Sequence, residues 1–239
     1  MNIGAIIPAR YNSSRFPGKP LAKIAGISMI ERVYRQVSIS DRFKKVIVAT
    51  DSKKIAEEVE RFGGQFKMTS EGCSSGTERV WEVLRDSDLD AAINIQGDEP
   101  LISEDLVSDI YLKLEEGGNP VVTAVCFNKS EEEFNSVNVV KSVFDRNGKA
   151  LYFSRSPIPG QQLTKFTGFY QHIGIYGYTR NALSSFVKSP PSDHEVKEKL
   201  EQLRFLENGI EIVILKTDYR SIGVDVPEDI EKIEKLLKE

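Results

Sequence analysis

A basic loop near the amino terminus carries the first residues suited to phosphate chemistry. The segment ARYNSSRFPGKPL, residues 9–21, follows an apolar run and places Arg10, Arg15 and Lys19 around a Pro-Gly pair. Such a pair forces a turn, glycine lets the main chain approach a ligand closely, and the cations can face a triphosphate. The loop is not a Walker motif, because the Gly18-Lys19 pair is followed by proline instead of serine or threonine. The alternative is a solvated basic loop with an incidental turn.

Two further segments each place an aspartate near a glycine, one at the end of an apolar strand and the other just before a helix. INIQGDEPLI, residues 93–102, contains Asp98, and IGVDVPEDI, residues 222–230, contains Asp225 just before the last predicted helix. Magnesium prefers oxygen donors and is usually shared between one or two carboxylates and substrate phosphates. The alternatives are a turn that caps the helix starting near Glu104 for the first segment and a helix cap for the second. We predict that the two aspartates converge on one metal–triphosphate.

These chemical groups need a scaffold that brings distant segments together, and the pattern of apolar residues predicts one. Short β-branched runs alternate with amphipathic helical patterns, which is typical of a mostly parallel sheet with helices on both faces. In such sheets ligands bind beyond the carboxyl ends of the strands, where the basic loop and Asp98 would lie. Strands are predicted at 3–8, 45–50, 91–95 and 121–127, and helices at about 28–38, 52–62, 76–86 and 104–116.

The second half of the chain has a different order of predicted strands and helices. After residue 128 the strand-like pieces VNVVKSVF, KALYFS and HIGIYGY follow one another before two further helices, and a last helix begins near Pro227. Successive strands without intervening helices are typical of antiparallel pairing. We therefore predict an α/β fold made of a single catalytic domain, residues 1–239, with a smaller inserted antiparallel region at about 128–200.

Composition narrows the possible partners. The chain has 239 residues, of which 40% are hydrophobic, and this is enough for a substantial core. A net charge of -4 argues against a surface that binds nucleic acid, so any phosphate must be met by local cations. Cys73 and Cys126 do not indicate a disulfide framework, which favours a reducing compartment. The first apolar segment is too short for a signal peptide or a membrane span, so we expect a cytoplasmic protein without a membrane partner.

Further blocks extend these segments into a family pattern. Besides RYNSSRFPGKPL and NIQGDEP, the chain contains ATD at 49–51, SGTER at 75–79, ALYFSRSPIP at 150–159, HIGIYGY at 172–178, LEQLR at 200–204 and GVDVPED at 223–229. In this order and spacing the blocks resemble the 3-deoxy-manno-octulosonate cytidylyltransferases over essentially the whole chain. The loop alone would indicate only the wider sugar-nucleotidyltransferase superfamily.

The resemblance implies a Rossmann-like nucleotidyltransferase fold, usually assembled as a homodimer. It also implies transfer of CMP from CTP to the anomeric hydroxyl of an acidic eight-carbon sugar, with release of pyrophosphate and with Mg²⁺ as the cofactor. The product would supply lipopolysaccharide biosynthesis.

The same resemblance assigns residues around the nucleotide. It makes Lys19 a phosphate ligand and joins it to Asp98 and Asp225 in the catalytic group, with the two aspartates holding magnesium between CTP and the sugar. Within SGTER, Arg79 is the residue singled out for the ligand, although the segment is also typical of a helix start with a serine or threonine as its cap. The residues expected to bind CTP are Ala9, Arg10, Ser13, Arg15, Lys19, Ser75, Gly76, Arg79 and Gln96.

The acidic sugar needs a site of its own, and by resemblance the second half of the chain supplies most of it. A carboxylate and a polyol call for one cation and several polar groups. His172 precedes an apolar strand, where a histidine can equally serve the structure, and the tyrosines of HIGIYGY are expected to pack in the core. The predicted sugar ligands are Gln96, Arg155, His172, Glu201 and Gln202.

Three alternatives stay open. The segment GQQLTKFTGFYQH, which follows Pro159, departs from the family pattern beside the sugar pocket, so an 8-amino form of the same sugar is a possible substrate. A sialate or pseudaminate cytidylyltransferase would share the first loop but is poorly supported by LEQLR and GVDVPED. A non-catalytic nucleotide-binding regulator is expected to lack Lys19, Asp98 or Asp225, and all three are present.

Overall fold

The computed structural model describes residues 1–12, 16–160 and 165–237. The strands are β1 (Ile3–Ala9), β2 (Lys23–Ile24), β3 (Ile27–Ser28), β4 (Lys45–Thr50), β5 (Phe66–Met68), β6 (Ala91–Asn94), β7 (Val121–Asn128), β8 (Lys141–Phe144), β9 (Ala150–Ser154), β10 (Phe169–Thr179) and β11 (Ile212–Thr217). The helices are α1 (Met29–Val37), α2 (Lys53–Arg61), α3 (Gly76–Arg85), α4 (Glu104–Glu115), α5 (Glu131–Asn135), α6 (Arg180–Lys188), α7 (Asp193–Glu198), α8 (Gln202–Glu207) and α9 (Glu228–Leu236). None of the helices in this described part of the chain has the length and apolar composition needed to cross a membrane.

The central sheet is mostly parallel, as predicted. Its strand order is β11-β7-β10-β6-β1-β4-β5. The pairs β1–β4, β1–β6, β4–β5 and β7–β11 are parallel, whereas β10 runs antiparallel to both of its neighbours. Helices cover both faces, because alternate residues of a strand point to opposite sides of the sheet. Ala5 and Ile7 belong to one apolar cluster with α1, α2 and α4, and Ile6 belongs to another with α3, α6 and α8.

The elements predicted in the first half of the chain all form, and their ends lie within one residue of the predicted ones. The predictions omitted β5 and β11, which form the two ends of this strand order. With three residues, β5 is too short to show an alternating pattern. The sequence of β11, IVILKT, begins with a continuous apolar run, which periodicity alone does not distinguish from a buried helix.

The segment HIGIYGY was predicted to lie in the inserted antiparallel region, but it forms part of β10 inside the central sheet. Tyr176 and the residues after it pair with β6 on one side and β7 on the other, while Gln171 pairs with Lys141 of β8. An antiparallel strand can be connected to its neighbour without a helical crossover. The order of strand and helix patterns in the sequence therefore does not reveal that β10 lies between β6 and β7. The predicted region 128–200 therefore contains a strand of the main sheet, and β8 and β9 extend from it as an antiparallel pair.

A third, smaller apolar cluster connects the basic loop to α9. Its buried members are Ile24, Met29, Val224 and Ile233, and Phe16 of the loop packs against them. The cluster thus joins the short β2–β3 hairpin, α1 and the carboxyl-terminal helix. Because Val224 directly precedes Asp225, this packing holds the aspartate beside the loop.

Candidate functional site

Two adjoining cavities lie at the carboxyl ends of β1 and β6. The first cavity has a volume of about 420 Å³ and the second about 450 Å³, and both are lined by Gly76 and Gln96. Predicted ligands that line the first cavity are Ala9, Arg10, Lys19 and Asp98. Those that line the second are Arg155, His172, Glu201 and Gln202. Two further predicted CTP ligands, Ser13 and Arg15, lie outside the described residues.

The basic loop owes its shape to a glycine. Gly18 has a φ of 73°, a left-handed conformation that favours glycine, and its N–H donates a hydrogen bond of 2.8 Å to the Tyr11 carbonyl. A short 3-10 turn, Lys19–Leu21, follows at once. Since Phe16 is packed into the third apolar cluster, the loop is held on both sides of this turn and Lys19 enters the first cavity.

A second glycine is required where β6 ends. A Cβ atom on Gly97 would lie 2.9 Å from the Pro8 carbonyl oxygen, a distance that real Cβ atoms essentially never show. Glycine therefore allows the ends of β1 and β6 to approach each other. The next carbonyl, that of Asp98, accepts a hydrogen bond of 3.0 Å from the Val224 N–H. These two contacts fix Asp98 relative to β1 and to the segment before α9.

The three residues assigned to catalysis meet at one point. Lys19 Nζ donates to Asp98 Oδ2 at 2.5 Å and to the Val224 carbonyl at 2.7 Å. The same nitrogen lies 3.8 Å from Asp225 Oδ1. The Lys19 side chain is 13% exposed, whereas Asp98 and Asp225 are 33% and 57% exposed, so both carboxylates remain accessible to a ligand. The structure therefore brings together two aspartates that are far apart in the sequence.

Asp225 is held by its own main chain and by the helix that follows. The N–H groups of Asp225 and Val226 donate to Asp229 Oδ2 at 3.0 and 3.2 Å. Pro227 is the residue before the first turn of α9, one position earlier than the sequence predicted for it. The Asp229 carboxylate thus accepts hydrogen bonds from two N–H groups that precede α9. These bonds fix the main chain of Asp225 relative to the start of the helix.

The donor set of this point fits a magnesium ion that is shared with a substrate. Across the described residues, no group of three or more histidine, cysteine, aspartate or glutamate side chains is arranged to hold a metal by itself. Asp98 and Asp225 both lie within ion-pair distance of Lys19 Nζ, so two carboxylates are close to each other there. Mg²⁺ is usually bound by one or two carboxylates together with phosphate oxygens and water. The chain therefore supplies part of a coordination shell, and phosphates would have to complete it.

The SGTER block begins α3 and borders both cavities. Ser75 caps the helix, because its Oγ accepts a hydrogen bond of 3.2 Å from the Glu78 N–H. Arg10 Nη1 donates to the Ser74 carbonyl at 3.3 Å, which connects the basic loop to this block. The helix start predicted as an alternative is thus present, and Gly76 still lines both cavities.

Arg79 was singled out for direct contact with the ligand, but the structure places it behind the site. Its side chain has no exposed surface and lines neither cavity. Nη2 donates to Asp51 Oδ2 at 2.7 Å, and Nη1 donates to Thr69 Oγ1. The reason is that α3 turns this side chain toward the ends of β4 and β5, where a carboxylate is available. Asp51, part of the ATD block, is a partner that the sequence did not reveal.

His172 lies in the wall of the second cavity as a neutral side chain. Burial lowers the pKa of His172 from 6.5 to about 3. Its Nε2 lies 3.1 Å from Thr123 Oγ1, and its ring packs against Phe153 and Tyr176. The structural role that the sequence left open is therefore present, and the residue still borders the cavity.

Polar groups on α8 and β6 face the same space. Burial raises the pKa of Glu201, and hydrogen bonds from Thr77 and Ser75 oppose that rise. These bonds tie the start of α8 to the SGTER block. Asn94 Oδ1 and Gln202 Nε2 are buried and have no hydrogen-bond partner among the described residues. Both residues line the second cavity, so a ligand there could satisfy one acceptor and one donor. Asn94 was not predicted, because an asparagine in a short buried strand has no distinctive pattern.

Comparison with known sequences gives a consistent result. The sequence profile of a family described as cytidylyltransferase matches residues 4–212. A protein named 3-deoxy-manno-octulosonate cytidylyltransferase from Chlamydia felis is 47% identical over 235 residues, which cover 97% of this chain and 92% of that protein. A protein of the same name from Geobacter sulfurreducens is 44% identical over 257 residues and is covered completely, as is this chain.

Solved structures agree with these sequence comparisons. The structure of a CMP:2-keto-3-deoxy-manno-octonic acid synthetase complexed with CTP matches with a TM-score of 0.95 and 38% identity, over 100% of this chain and 99% of that one. A 4-diphosphocytidyl-2C-methyl-D-erythritol synthase from Anaerococcus prevotii matches with a TM-score of 0.65 over 99% of this chain and 96% of that one. At 17% identity, the second match concerns the fold alone.

Proposed function

This chain belongs to the 3-deoxy-manno-octulosonate cytidylyltransferases, and from that premise we propose that its two cavities bind the two substrates of the reaction side by side. The chain is a nucleotidyltransferase that transfers CMP from CTP to 3-deoxy-manno-octulosonate, so the fold class, family and activity expected from the sequence are confirmed. The observation that carries the substrate assignment is that the cavities share Gly76 and Gln96, while every predicted sugar ligand lines the second one.

Both substrates are anions, and the cations of the cavities offset their repulsion. Arg10 and Lys19 line the first cavity, where we place the triphosphate, and Arg155 lines the second. Attack of the anomeric hydroxyl on the α-phosphorus places charge on the attacking oxygen, the equatorial phosphate oxygens and the leaving pyrophosphate. Fixed cations stabilise this charge distribution without having to reorient during the reaction. Lys19 is therefore the catalytic cation of the first cavity.

The cofactor in this proposal is Mg²⁺, held by Asp98 and Asp225. When bound, the ion supplies positive charge to the phosphates and lowers the pKa of a bound hydroxyl. The chain itself keeps the two carboxylates in place, because Lys19 lies within hydrogen-bond or ion-pair distance of both and offsets their mutual repulsion. Val224, which bonds to Lys19 and to the Asp98 main chain, keeps the segment of Asp225 beside them.

The second cavity has the polar groups that an acidic polyol requires. Arg155 provides a cation for the sugar carboxylate, and a guanidinium can bind a carboxylate through two parallel hydrogen bonds. Asn94 Oδ1 and Gln202 Nε2 can bond to sugar hydroxyls. A buried polar atom without a partner costs about 1–3 kcal/mol, so satisfying these two favours a hydroxylated ligand. Neutral His172 adds a polar group without adding charge.

One experiment tests the reaction and the sugar together. The protein is incubated with CTP, Mg²⁺ and, in separate reactions, 3-deoxy-manno-octulosonate, its 8-amino form, a sialate and a pseudaminate. We expect pyrophosphate and a product with the mass of CMP-3-deoxy-manno-octulosonate. A nucleotide product formed only from the 8-amino sugar or from a sialate would replace the proposed substrate. Binding of CTP without any turnover would support the regulator alternative instead.

Three finer parts of the proposal concern the cell. The enzyme works in the cytoplasm as a homodimer, and its product supplies lipopolysaccharide assembly. The dimer is supported by exposed apolar side chains on and beside the β8–β9 extension, where Val137 and Leu151 are 65% and 62% exposed and Phe127 of β7 is 44% exposed. Light scattering on the purified protein tests the dimer, and a monomeric mass at micromolar concentration would exclude it.

A further inference from the structure

A completely buried lysine lies next to the second cavity. Lys141, in β8, has no exposed surface. Among the described residues no carboxylate lies within ion-pair distance of its ammonium, and the Glu198 carboxylate favours its charge only from farther away. Its ammonium donates to three main-chain carbonyls, those of Ser136 at 2.6 Å, Val139 at 2.9 Å and Arg155 at 2.7 Å. Burial lowers the pKa of Lys141, as expected for a charge moved away from water. A lysine in this costly position calls for a reason beyond filling space.

The bonds of Lys141 fix Arg155 by two routes. The first is the main chain, because the Arg155 carbonyl accepts from Lys141 while its N–H donates to Glu198 Oε2 at 2.9 Å. The second is the side chain, because Arg155 Nη1 donates to the Val137 carbonyl at 3.0 Å. Val137 lies in a short loop between the two other residues whose carbonyls Lys141 holds. One ammonium therefore controls both the peptide of Arg155 and the loop that orients its guanidinium.

The remaining contacts of Arg155 leave part of it available. Its Nε donates to the Glu198 carbonyl at 3.0 Å. In the described part of the chain its side-chain hydrogen bonds use Nε and Nη1. Arg155 lines the second cavity, so the donors of Nη2 could bond to a ligand there. Val140, the residue before β8, also supports His172, because its carbonyl accepts a hydrogen bond of 2.9 Å from the His172 N–H.

We propose that Lys141 is a positioning residue for the sugar acid and acts by holding Arg155 toward the second cavity. This inference rests on the proposed function, in which Arg155 binds the carboxylate of the sugar. Lysine suits the task because its ammonium carries three donors on one atom and can reach three separate carbonyls. Arginine would keep the charge but spread its donors over a planar fork, and methionine would remove the ammonium donor from all three carbonyls.

Steady-state kinetics of Lys141→Arg and Lys141→Met test the inference, with CTP and the octulosonate varied in turn at saturating Mg²⁺. We expect the KM for the sugar acid to rise by about tenfold or more, the effect of weakening one charge-assisted contact, while the KM for CTP changes by less than about twofold. Ser142→Ala is the matched control. Ser142 is the next residue of β8, is equally buried and bonds to the Tyr152 carbonyl, so both KM values should stay at the wild-type level.

A double variant separates positioning from general support of the fold. If Lys141 acts through Arg155, the KM for the sugar acid in Lys141→Arg/Arg155→Ala should equal that of Arg155→Ala alone. Two results would overturn the inference and leave the proposed function standing. One is a double variant whose rise in KM for the sugar acid is the product of the two single rises. The other is a KM for the sugar acid in Lys141→Arg that equals the wild-type value. If Lys141→Met does not fold, Lys141→Arg alone is sufficient for the test. Failure of the wild-type protein to convert any octulosonate would instead refute the proposed function, and the inference with it.

Discussion

Replacing Asp225 with asparagine should abolish most catalysis and leave the fold almost unchanged. The Asp225 side chain is 57% exposed, and its Oδ1 lies 3.8 Å from Lys19 Nζ. At this distance two unit charges in water interact by about 1 kcal/mol, and exposed ion pairs contribute no more than about that amount to stability. For a domain of this size such a change shifts the melting temperature by about 2–4 °C. We therefore expect a decrease of about 4 °C or less.

The loss of turnover should be far larger. Asparagine keeps the shape of the side chain but removes the charge that is proposed to hold magnesium between the substrates. Removing one group that stabilises charge in a transition state typically costs about 100- to 1000-fold in kcat. The assay is the initial rate of pyrophosphate release at saturating CTP and octulosonate over a range of Mg²⁺ concentrations, with thermal melts on the same samples.

Asp229 provides the matched control for this experiment. Its carboxylate accepts hydrogen bonds from the Asp225 and Val226 N–H groups, so Asp229→Ala removes structural support and leaves the catalytic carboxylate present. We expect Asp229→Ala to cost about 1 kcal/mol of stability and less turnover than Asp225→Asn. Turnover of Asp225→Asn within threefold of wild type at saturating Mg²⁺, or a decrease of its melting temperature well beyond about 4 °C, would refute the reasoning.

Three further substitutions test other parts of the structure. Gly97→Ala should destabilise the protein by about 1–3 kcal/mol in urea unfolding, because its new methyl group would lie 2.9 Å from the Pro8 carbonyl oxygen. His172→Gln should make stability less sensitive to acid. Burial lowers the pKa of His172 from 6.5 to about 3, so between these values only the unfolded chain binds the proton. Wild-type stability should therefore fall as the pH falls through this window, by up to about 1.4 kcal/mol per pH unit from this residue, as urea unfolding at several pH values would measure. Asp51→Asn should cost about 3 kcal/mol in urea unfolding and weaken CTP binding in calorimetry, because buried Arg79 loses its charged partner.

Each of these predictions has a clear contrary result. A wild-type urea midpoint for Gly97→Ala would mean that the ends of β1 and β6 separate without cost. Equal slopes of stability against pH in wild type and His172→Gln would mean that the folded protein binds the proton as readily as the unfolded chain. Unchanged stability of Asp51→Asn would remove the support assigned to the Arg79 pair.

Local patterns were sufficient to predict the elements that carry the site, but not the contacts between distant elements. The strands before the basic loop and before Asp98 have continuous apolar runs, and parallel strands place such loops at one edge. The contact between Asp98 and Val224 is a main-chain hydrogen bond between residues far apart in the chain, and it leaves no trace in the pattern of side chains. The convergence of the two aspartates was predicted from their chemistry, and their placement required the folded chain.

Arg79 and Lys141 show why residue type is a weak guide to position. A cation in the SGTER block suits a phosphate and a buried carboxylate equally well, and only the sheet order brings Asp51 next to α3. In the sequence, Lys141 is a charged residue in a strand, where solvent exposure is the ordinary expectation. It can be buried because the carbonyls of three separate residues accept hydrogen bonds from its ammonium. No local sequence pattern indicates that these three carbonyls lie close together.

The docking of Val224 onto Asp98 sets an order in which the enzyme becomes competent during its own synthesis. Lys19 and Asp98 leave the ribosome well before Asp225 does, and the strands that line the cavities have all been made by then. Lys19 donates to the Val224 carbonyl, and Phe16 packs against Val224 and Ile233, so the basic loop also gains these contacts only when this last segment has been made. A chain that stops ahead of this segment would lack both Asp225 and the packing that holds the loop of the first cavity.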